Sequence, residues 1–244
     1  LPDRSLVLWK RKASPPSNAV RVVGAILGLQ FDFIEPNLPA GEHKTAEYRK
    51  INPMSTVPVL KDGDFVVSDS HAIILYLLRK YGEAHKEALY PSDLRTRALV
   101  NQGLFFDTGV VFRQLLNVSV SNNAVLTDGK ITGPTPTNIE QITDAYAVLE
   151  SWLENRPYIA TDHVTVADIC LGSSSPGLGV GWPAWKQSRT SRSTPQMVPP
   201  CWPRCSRLSG SRIKNNYWKY VFCFFLNRIK PRLLPPKHFL SCNV

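Results

Sequence analysis

One short string, Ser14-Pro15-Pro16-Ser17, constrains the fold more than any other part of the chain. Consecutive prolines carry a fixed φ and no N–H, so a helix tolerates them only in its first turn. The serine ahead of them supplies the oxygen that an N-cap requires. Ala19, Val20, Val22, Val23, Ile26 and Leu27 then recur at helical spacing until Gly28, which stops the pattern. The apolar run from Ser5 to Trp9 before this helix suits a buried strand, and Gln30 to Glu35 after it alternates as a second strand. Strand, helix and strand in that order imply a parallel pair.

A hairpin follows. Val57 to Leu60 and Phe65 to Val67 flank Asp62-Gly63, a strong turn signal between apolar runs. Ser70 is expected to cap a helix that runs through Ala72, Ile73, Ile74, Tyr76, Leu77 and Leu78 to Gly82. The order β-α-β, then β-β-α, is that of a thioredoxin-like domain with a mixed four-stranded sheet. The expected fold class is therefore α/β. A thioredoxin-like domain over residues 1–83 is followed by a polar linker over 84–91 and an all-α domain over 92–171. Helical periodicity runs from Leu94 to Val120 and from Ile139 to Leu153, on either side of a Gly/Pro/Thr-rich loop at 122–138. Thr165-Val166-Ala167-Asp168 fits a capping box for one more buried helix. That helix is expected to be interrupted by Gly172, Pro176, Gly177, Gly179 and Gly181, since glycine costs a helix interior about 1 kcal/mol and proline about 3. The all-α domain therefore reads as incomplete.

Composition changes at the same place. The formal net charge of +10 would ordinarily suggest nucleic acid or an anionic membrane. Residues 172–244, however, hold 12 of the 29 Lys and Arg and none of the 19 Asp and Glu. The preceding residues carry 17 basic and 19 acidic side chains, so the excess charge says nothing about what they bind. The basic segment also contains Cys201, Cys205, Cys223 and Cys242, four of six tryptophans and nine of twenty prolines. Such a composition is what a shifted reading frame or a retained intron produces. No nucleic-acid partner is expected from it, because it shows no organised helix, strand or repeat. No metal site is expected either: Cys201 and Cys205 make half a ligand set with no histidine nearby. Cys170 is the single cysteine before residue 172, which fits a reducing, cytoplasmic compartment. No signal peptide is recognisable in residues 1–10. The longest apolar run, Tyr217 to Leu226, contains Lys219 and is half the ~20 residues that span a bilayer, so no membrane partner is expected.

Ser14 and Ser17 stand at the strand-to-helix turn where thioredoxin-like redox proteins carry a cysteine pair, so dithiol chemistry is excluded. A hydroxyl at that helix N-terminus can instead donate to a bound thiolate. The helix dipole, roughly half a positive charge, favours the same anion. Lowering a thiol pKa by two units requires about 2.7 kcal/mol, within reach of one charge-assisted hydrogen bond and a dipole. Taken alone, Ser14 is better read as a plain N-cap. Val57-Pro58 precedes a strand, where a proline suits a cis peptide that turns the Val57 backbone outward to pair with an extended ligand. Asp69-Ser70-His71 opens a helix whose free N–H groups favour a carboxylate, while the Asp69 carboxylate can take an ammonium. Together the three features describe a site for a small zwitterionic peptide.

The strings SPPSNAVRVV, GEH, NPMSTVPVL, SDSHAIILYLLRKYG, LYPSD and VTVADIC resemble insect glutathione transferases of the epsilon class, with delta as the near alternative. The resemblance covers residues 5–171. It implies an enzyme that adds the glutathione thiolate to small hydrophobic electrophiles, in xenobiotic detoxification including insecticide resistance. It also implies a homodimer, with glutathione as co-substrate and no other cofactor. Carried onto this chain, Ser14 is the catalytic residue, and His43 meets the glycyl end of glutathione. Ser55, Thr56, Val57 and Pro58 border the tripeptide, and Asp69, Ser70 and His71 hold the γ-glutamyl group. Phe106, Phe112 and Leu116 are the candidates for the hydrophobic-substrate site. Ser55 replaces a histidine that the family motif places before the threonine, so weaker glutathione binding is expected. An arginine that members often carry on the first long helix aligns with Leu116, with Arg113 one turn earlier. Nothing in residues 172–244 resembles the family. A glutathione- or ligand-binding protein without turnover, or a defective product, are the rival readings.

Overall fold

The computed structural model describes residues 6–121 and 133–175, without the side chains of 120 and 121. Its first strand, β1 (Leu6–Trp9), buries Leu6 and Leu8 and leaves Val7 and Trp9 half-buried, the alternation that a pleated strand imposes. Helix α1 (Pro15–Ile26) starts as Ser14-Pro15-Pro16 requires, and β2 (Phe31–Ile34) then pairs parallel with β1. After a 3₁₀ turn at Glu42–Lys44 and the short α2 (Ala46–Ile51), β3 (Val59–Asp62) pairs antiparallel with β1. β4 (Phe65–Ser68) pairs antiparallel with β3, giving a mixed sheet in the order β2-β1-β3-β4. Helix α3 (Ser70–Tyr81) closes this thioredoxin-like domain.

Two details of the hairpin differ from the sequence reading. Asp62 belongs to β3, and the turn is Gly63-Asp64, with Gly63 at φ +65°. Asp62 is needed elsewhere: its buried Oδ2 accepts from Tyr76 Oη at 2.7 Å, Tyr81 Oη at 2.6 Å and Lys80 Nζ at 2.5 Å. Burial opposes ionisation of Asp62, but the bonds from Lys80, Tyr81 and Tyr76 outweigh it and hold the carboxyl below its ordinary value. This node ties the hairpin to the second half of α3.

The region read as a linker carries a short helix, α4 (Lys86–Leu89), whose Leu89 is fully buried. His163 donates its Nε2 hydrogen to the Ala88 carbonyl at 3.0 Å, which fastens the same segment. Helix α5 (Leu94–Phe106) continues through a π-helical turn, Asp107–Val111, into α6 (Phe112–Ser121). Periodicity placed this helical path correctly but did not reveal the π-helical turn inside it. Helix α7 (Pro136–Leu153) begins three residues earlier than its first apolar position, because Thr135 and Asn138 form a reciprocal capping box ahead of it.

Helix α8 (Val166–Ser174) packs against both α1 and α5, and all nine of its residues are buried. It is not interrupted at Gly172 but runs on to Ser174. A helix buried on every side is stabilised by packing, with about 1.5–3 kcal/mol for each large apolar side chain, which outweighs one glycine. Its start is held by Asp168. Oδ2 accepts from Thr165 N at 2.9 Å and Thr165 Oγ1 at 2.8 Å, and Oδ1 accepts from Ile159 N at 2.9 Å. Gly103 of α5 faces this helix so closely that a Cβ there would lie 2.8 Å from Ala167 Cβ and 3.0 Å from Ile159 Cγ2. The expected interruptions at Pro176, Gly177, Gly179 and Gly181 lie outside the described residues, as do Cys201 and Cys205.

Candidate active site

The strand register gathers the candidate residues at one end of the sheet. Trp9 pairs with Ile34 on one side and with Val59 on the other, and Val59 pairs with Ser68. These four residues form the last row of the sheet. The chain leaves β1 there toward Ser14, leaves β2 toward His43, enters β3 from Val57-Pro58, and leaves β4 into Asp69. Across the sheet the segments therefore follow the order His43, Ser14, Val57, Asp69. Four strands about 4.8 Å apart span ~14 Å, enough for an extended tripeptide at ~3.5 Å per residue. The N-termini of α1 and α3 open at the same end, which favours anionic groups there.

Ser14 is the N-cap of α1 (φ −92°, ψ 113°), and its Oγ accepts from Ser17 N at 3.3 Å. That bond uses a lone pair and leaves the hydroxyl proton free to donate, so the cap and the thiolate contact are compatible. Ser17 is fully buried, and its Oγ accepts from Arg11 N at 3.4 Å. The buried Asn18 donates to the Lys12 carbonyl at 3.0 Å and thereby shapes the loop that delivers Ser14.

His43 is half-buried, and its Nδ1 is buried without a hydrogen-bond partner among the described residues. Burial, then the charges of Lys44 and Arg11, push its imidazole below the ordinary value. Two cationic side chains, Lys44 and Arg11, thus stand beside this imidazole, where a carboxylate would be welcome.

The Val57–Pro58 peptide is cis, as the sequence suggested. Neither the N–H nor the C=O of Val57 bonds to another described residue. The Thr56 carbonyl accepts from Tyr48 Oη and from Asn52 Nδ2, each at 2.9 Å. Burial and Glu42 push the Tyr48 phenol up to about 12, so it stays a donor. Ser55 sits at φ +56°, and its N–H donates to the Asn52 carbonyl at 2.9 Å. Tyr48 and Asn52 carry no catalytic motif and escaped sequence reasoning; their role is visible only from where their side chains end.

Asp69, at φ +78°, is the N-cap of α3, where Ser70 had been expected; Ser70 is the first helical residue and is buried. Asp69 Oδ1 accepts from His71 N at 2.9 Å and Ala72 N at 3.1 Å, which leaves Oδ2 for a ligand. The His71 ring turns away to the helical region. Its Nε2 lies 3.0 Å from Asp107 Oδ2 and its Nδ1 lies 2.6 Å from Thr108 Oγ1, both on the π-helical turn. A backward-facing histidine could not be read from the Asp-Ser-His string.

Comparison with known proteins agrees with this fold. Residues 8–85 match the family description "Glutathione S-transferase, N-terminal domain". The chain is 41% identical over 170 residues to glutathione S-transferase 1 of Manduca sexta, covering 69% of this chain and 75% of that protein. The chain belongs to the glutathione transferase family. Among solved structures it resembles an epsilon-class glutathione S-transferase from the housefly, Musca domestica. There the TM-score is 0.67 at 32% identity, over 90% of this chain and 98% of the other. A glutathione transferase homologue from Drosophila mojavensis with bound glutathione gives a TM-score of 0.65 at 32% identity, over 91% of this chain and 96% of that one.

The transferase's hydrophobic candidates fare unequally. The Phe106 ring lies 5.0 Å from Trp152 of α7, the packing of one helix on another. Phe112 is half-buried, and Leu116 is 45% exposed. The buried Cys170 on α8 has its thiol pushed well up, first by burial and then by the charges of Asp107, Asp69 and Asp168.

Proposed function

We propose that Ser14 is the catalytic residue of this glutathione transferase and that its hydroxyl donates to the glutathione thiolate. The carrying observation is the Ser14 Oγ bond to Ser17 N at 3.3 Å, which orients the hydroxyl at the N-terminus of α1 with its proton unused. The glycyl carboxylate lies toward His43, Lys44 and Arg11. The cysteinyl backbone pairs with the N–H and C=O of Val57, next to Pro58 and between Ser55 and Thr56. The γ-glutamyl carboxylate takes the N–H of Ser70, and its ammonium takes Asp69 Oδ2. His71 supports this end through its backbone while its ring is anchored on Asp107. The cationic-to-acidic order along the row supports this polarity for the tripeptide.

In the reaction the glutathione S–H releases its proton to water, and the sulfur, held by the Ser14 hydroxyl, attacks an electrophilic carbon. The leaving group departs with the electron pair of the broken bond, or an activated double bond accepts the pair. Holding both reactants in contact supplies much of the rate gain. The second substrate is a small hydrophobic electrophile met by the helical region near Phe112 and Leu116. We assign the chain to the epsilon class, with delta as the near alternative, acting on xenobiotics including insecticides as a cytoplasmic homodimer. No described helix is long and apolar enough to cross a membrane. On α5, Leu94 is 81% and Phe105 76% exposed, and their 11-residue spacing sets them on one helix face that a second copy would cover.

Retention on immobilised glutathione followed by a conjugation assay with an activated aromatic halide tests the reading. Retention with turnover is expected. Retention without turnover would make the chain a glutathione carrier of the same fold.

A further inference from the structure

Three elements far apart in the chain, α3, the π-helical turn and α8, bring His71, Asp107 and Cys170 together. One ligand atom from each lies within 4.8 Å of the other two. Cys170 and Asp107 are 1% and 3% exposed, and the His71 side chain 15%. The ring pairing with Asp107 uses Oδ2 alone. Asp107 Oδ1 is buried and has no hydrogen-bond partner among the described residues. A carboxylate oxygen left so in a low-dielectric interior is costly unless a donor or a cation meets it. The carboxylates of Asp69 and Asp168 add to the negative field at the Cys170 sulfur, and the described cluster sets one imidazole against them.

We propose that His71, Asp107 and Cys170 form a site for a borderline-soft divalent cation of the zinc type. One nitrogen, one sulfur and one carboxylate suit zinc, whereas calcium and magnesium require six or more oxygens. Zinc bonds of about 2.0–2.3 Å place tetrahedral ligand atoms some 3.3–3.6 Å apart. From separations of up to 4.8 Å the cluster reaches that spacing by closing at most about 1.5 Å, a side-chain adjustment. In the loaded site His71 Nε2 gives up its hydrogen and its pairing with Asp107 Oδ2 to face the ion. Nδ1, 2.6 Å from Thr108 Oγ1, carries the remaining hydrogen and donates there, the outer bond that orients a metal-binding imidazole. Asp107 offers its unpartnered Oδ1. The sulfur binds as thiolate, its proton passing to solvent. The ion pins the start of α3 to the π-helical turn and to α8. Sequence spacing gave no sign of it, since His71 and Asp107 are 36 residues apart.

The test uses the full chain, stripped with chelator and titrated with cobalt(II) as a spectroscopic probe. A cobalt–thiolate charge-transfer band with four-coordinate d–d bands is expected. It should vanish in Cys170→Ala and persist in the Cys201→Ser/Cys205→Ser double variant. In that double-variant background Thr108→Val, at an exposed position that does not threaten folding, should weaken zinc binding about 10-fold. X-ray absorption of the zinc-loaded unmutated chain should find one sulfur per metal, whether or not Cys170→Ala folds. No thiolate band, a band lost only in the double variant, or a metal shell with two sulfurs or none would each overturn the site.

Discussion

Because the Ser14 oxygen accepts the Ser17 N–H, replacing its side chain perturbs both the helix start and the thiolate contact, and the choice of substituent separates the two. Ser14→Ala should cost about 0.5–2 kcal/mol of stability, and Ser14→Gly only a few tenths. Both lose the hydroxyl, so both should slow conjugation at neutral pH up to ~100-fold and move the pH–rate midpoint up by about two units. Urea melts and pH–rate profiles of the two variants make the separation; a profile unmoved in both would exclude the thiolate role. At His43 the sign is also determinate. Its imidazole is held below its ordinary value in the free protein by burial and then by Lys44 and Arg11. A glycyl carboxylate brought beside it raises that value, so binding takes up a proton. Glutathione affinity should rise as pH falls through the higher, ligand-bound value and level off below the lower, free value. His43→Gln should flatten that dependence, as calorimetry in buffers of different ionisation enthalpy would show.

Among the elements, those whose start is written in local chemistry were legible and those set by packing were not. Ser14-Pro15-Pro16 announced α1, and Thr165 with Asp168 announced α8. The same strings did not reveal that Asp168 also holds Ile159 N, a residue on a different segment. Asp168→Ala removes acceptors from three buried donors and should destabilise the protein by about 3 kcal/mol or more, read as a fall in the urea midpoint at unchanged m-value. A loss under 1 kcal/mol would mean that the cap is replaceable by water. The extent of α8 past Gly172 was misjudged because propensity describes an isolated helix, while burial on every side decides this one. Ser70 lost its place as cap to Asp69 because a positive φ, invisible in sequence, brings the Asp69 carboxylate over the helix end.

For the molecule as a whole, the exposed Leu94 and Phe105 make the quaternary prediction specific. Leu94→Asp with Phe105→Asp should shift sedimentation from dimer to monomer while leaving the fold of each subunit intact by circular dichroism. A wild-type chain that sediments as a monomer would remove the homodimer. The sheet, helices α1 and α3, and the choice of Ser14, Val57-Pro58 and Asp69 as candidate site positions came from the sequence alone, because turn, cap and alternation signals act within a few residues of where they are written. The tertiary structure alone decided the rest. It aligned Ile34, Trp9, Val59 and Ser68 in one row, so that four separate loops open at one end of the sheet in a definite order. It turned His71 inward to Asp107, and it held Thr56 through Tyr48 and Asn52. It also brought Cys170 to a histidine and an aspartate on two other elements. Those are contacts between side chains distant along the chain, and only strand register and helix packing specify which of them touch.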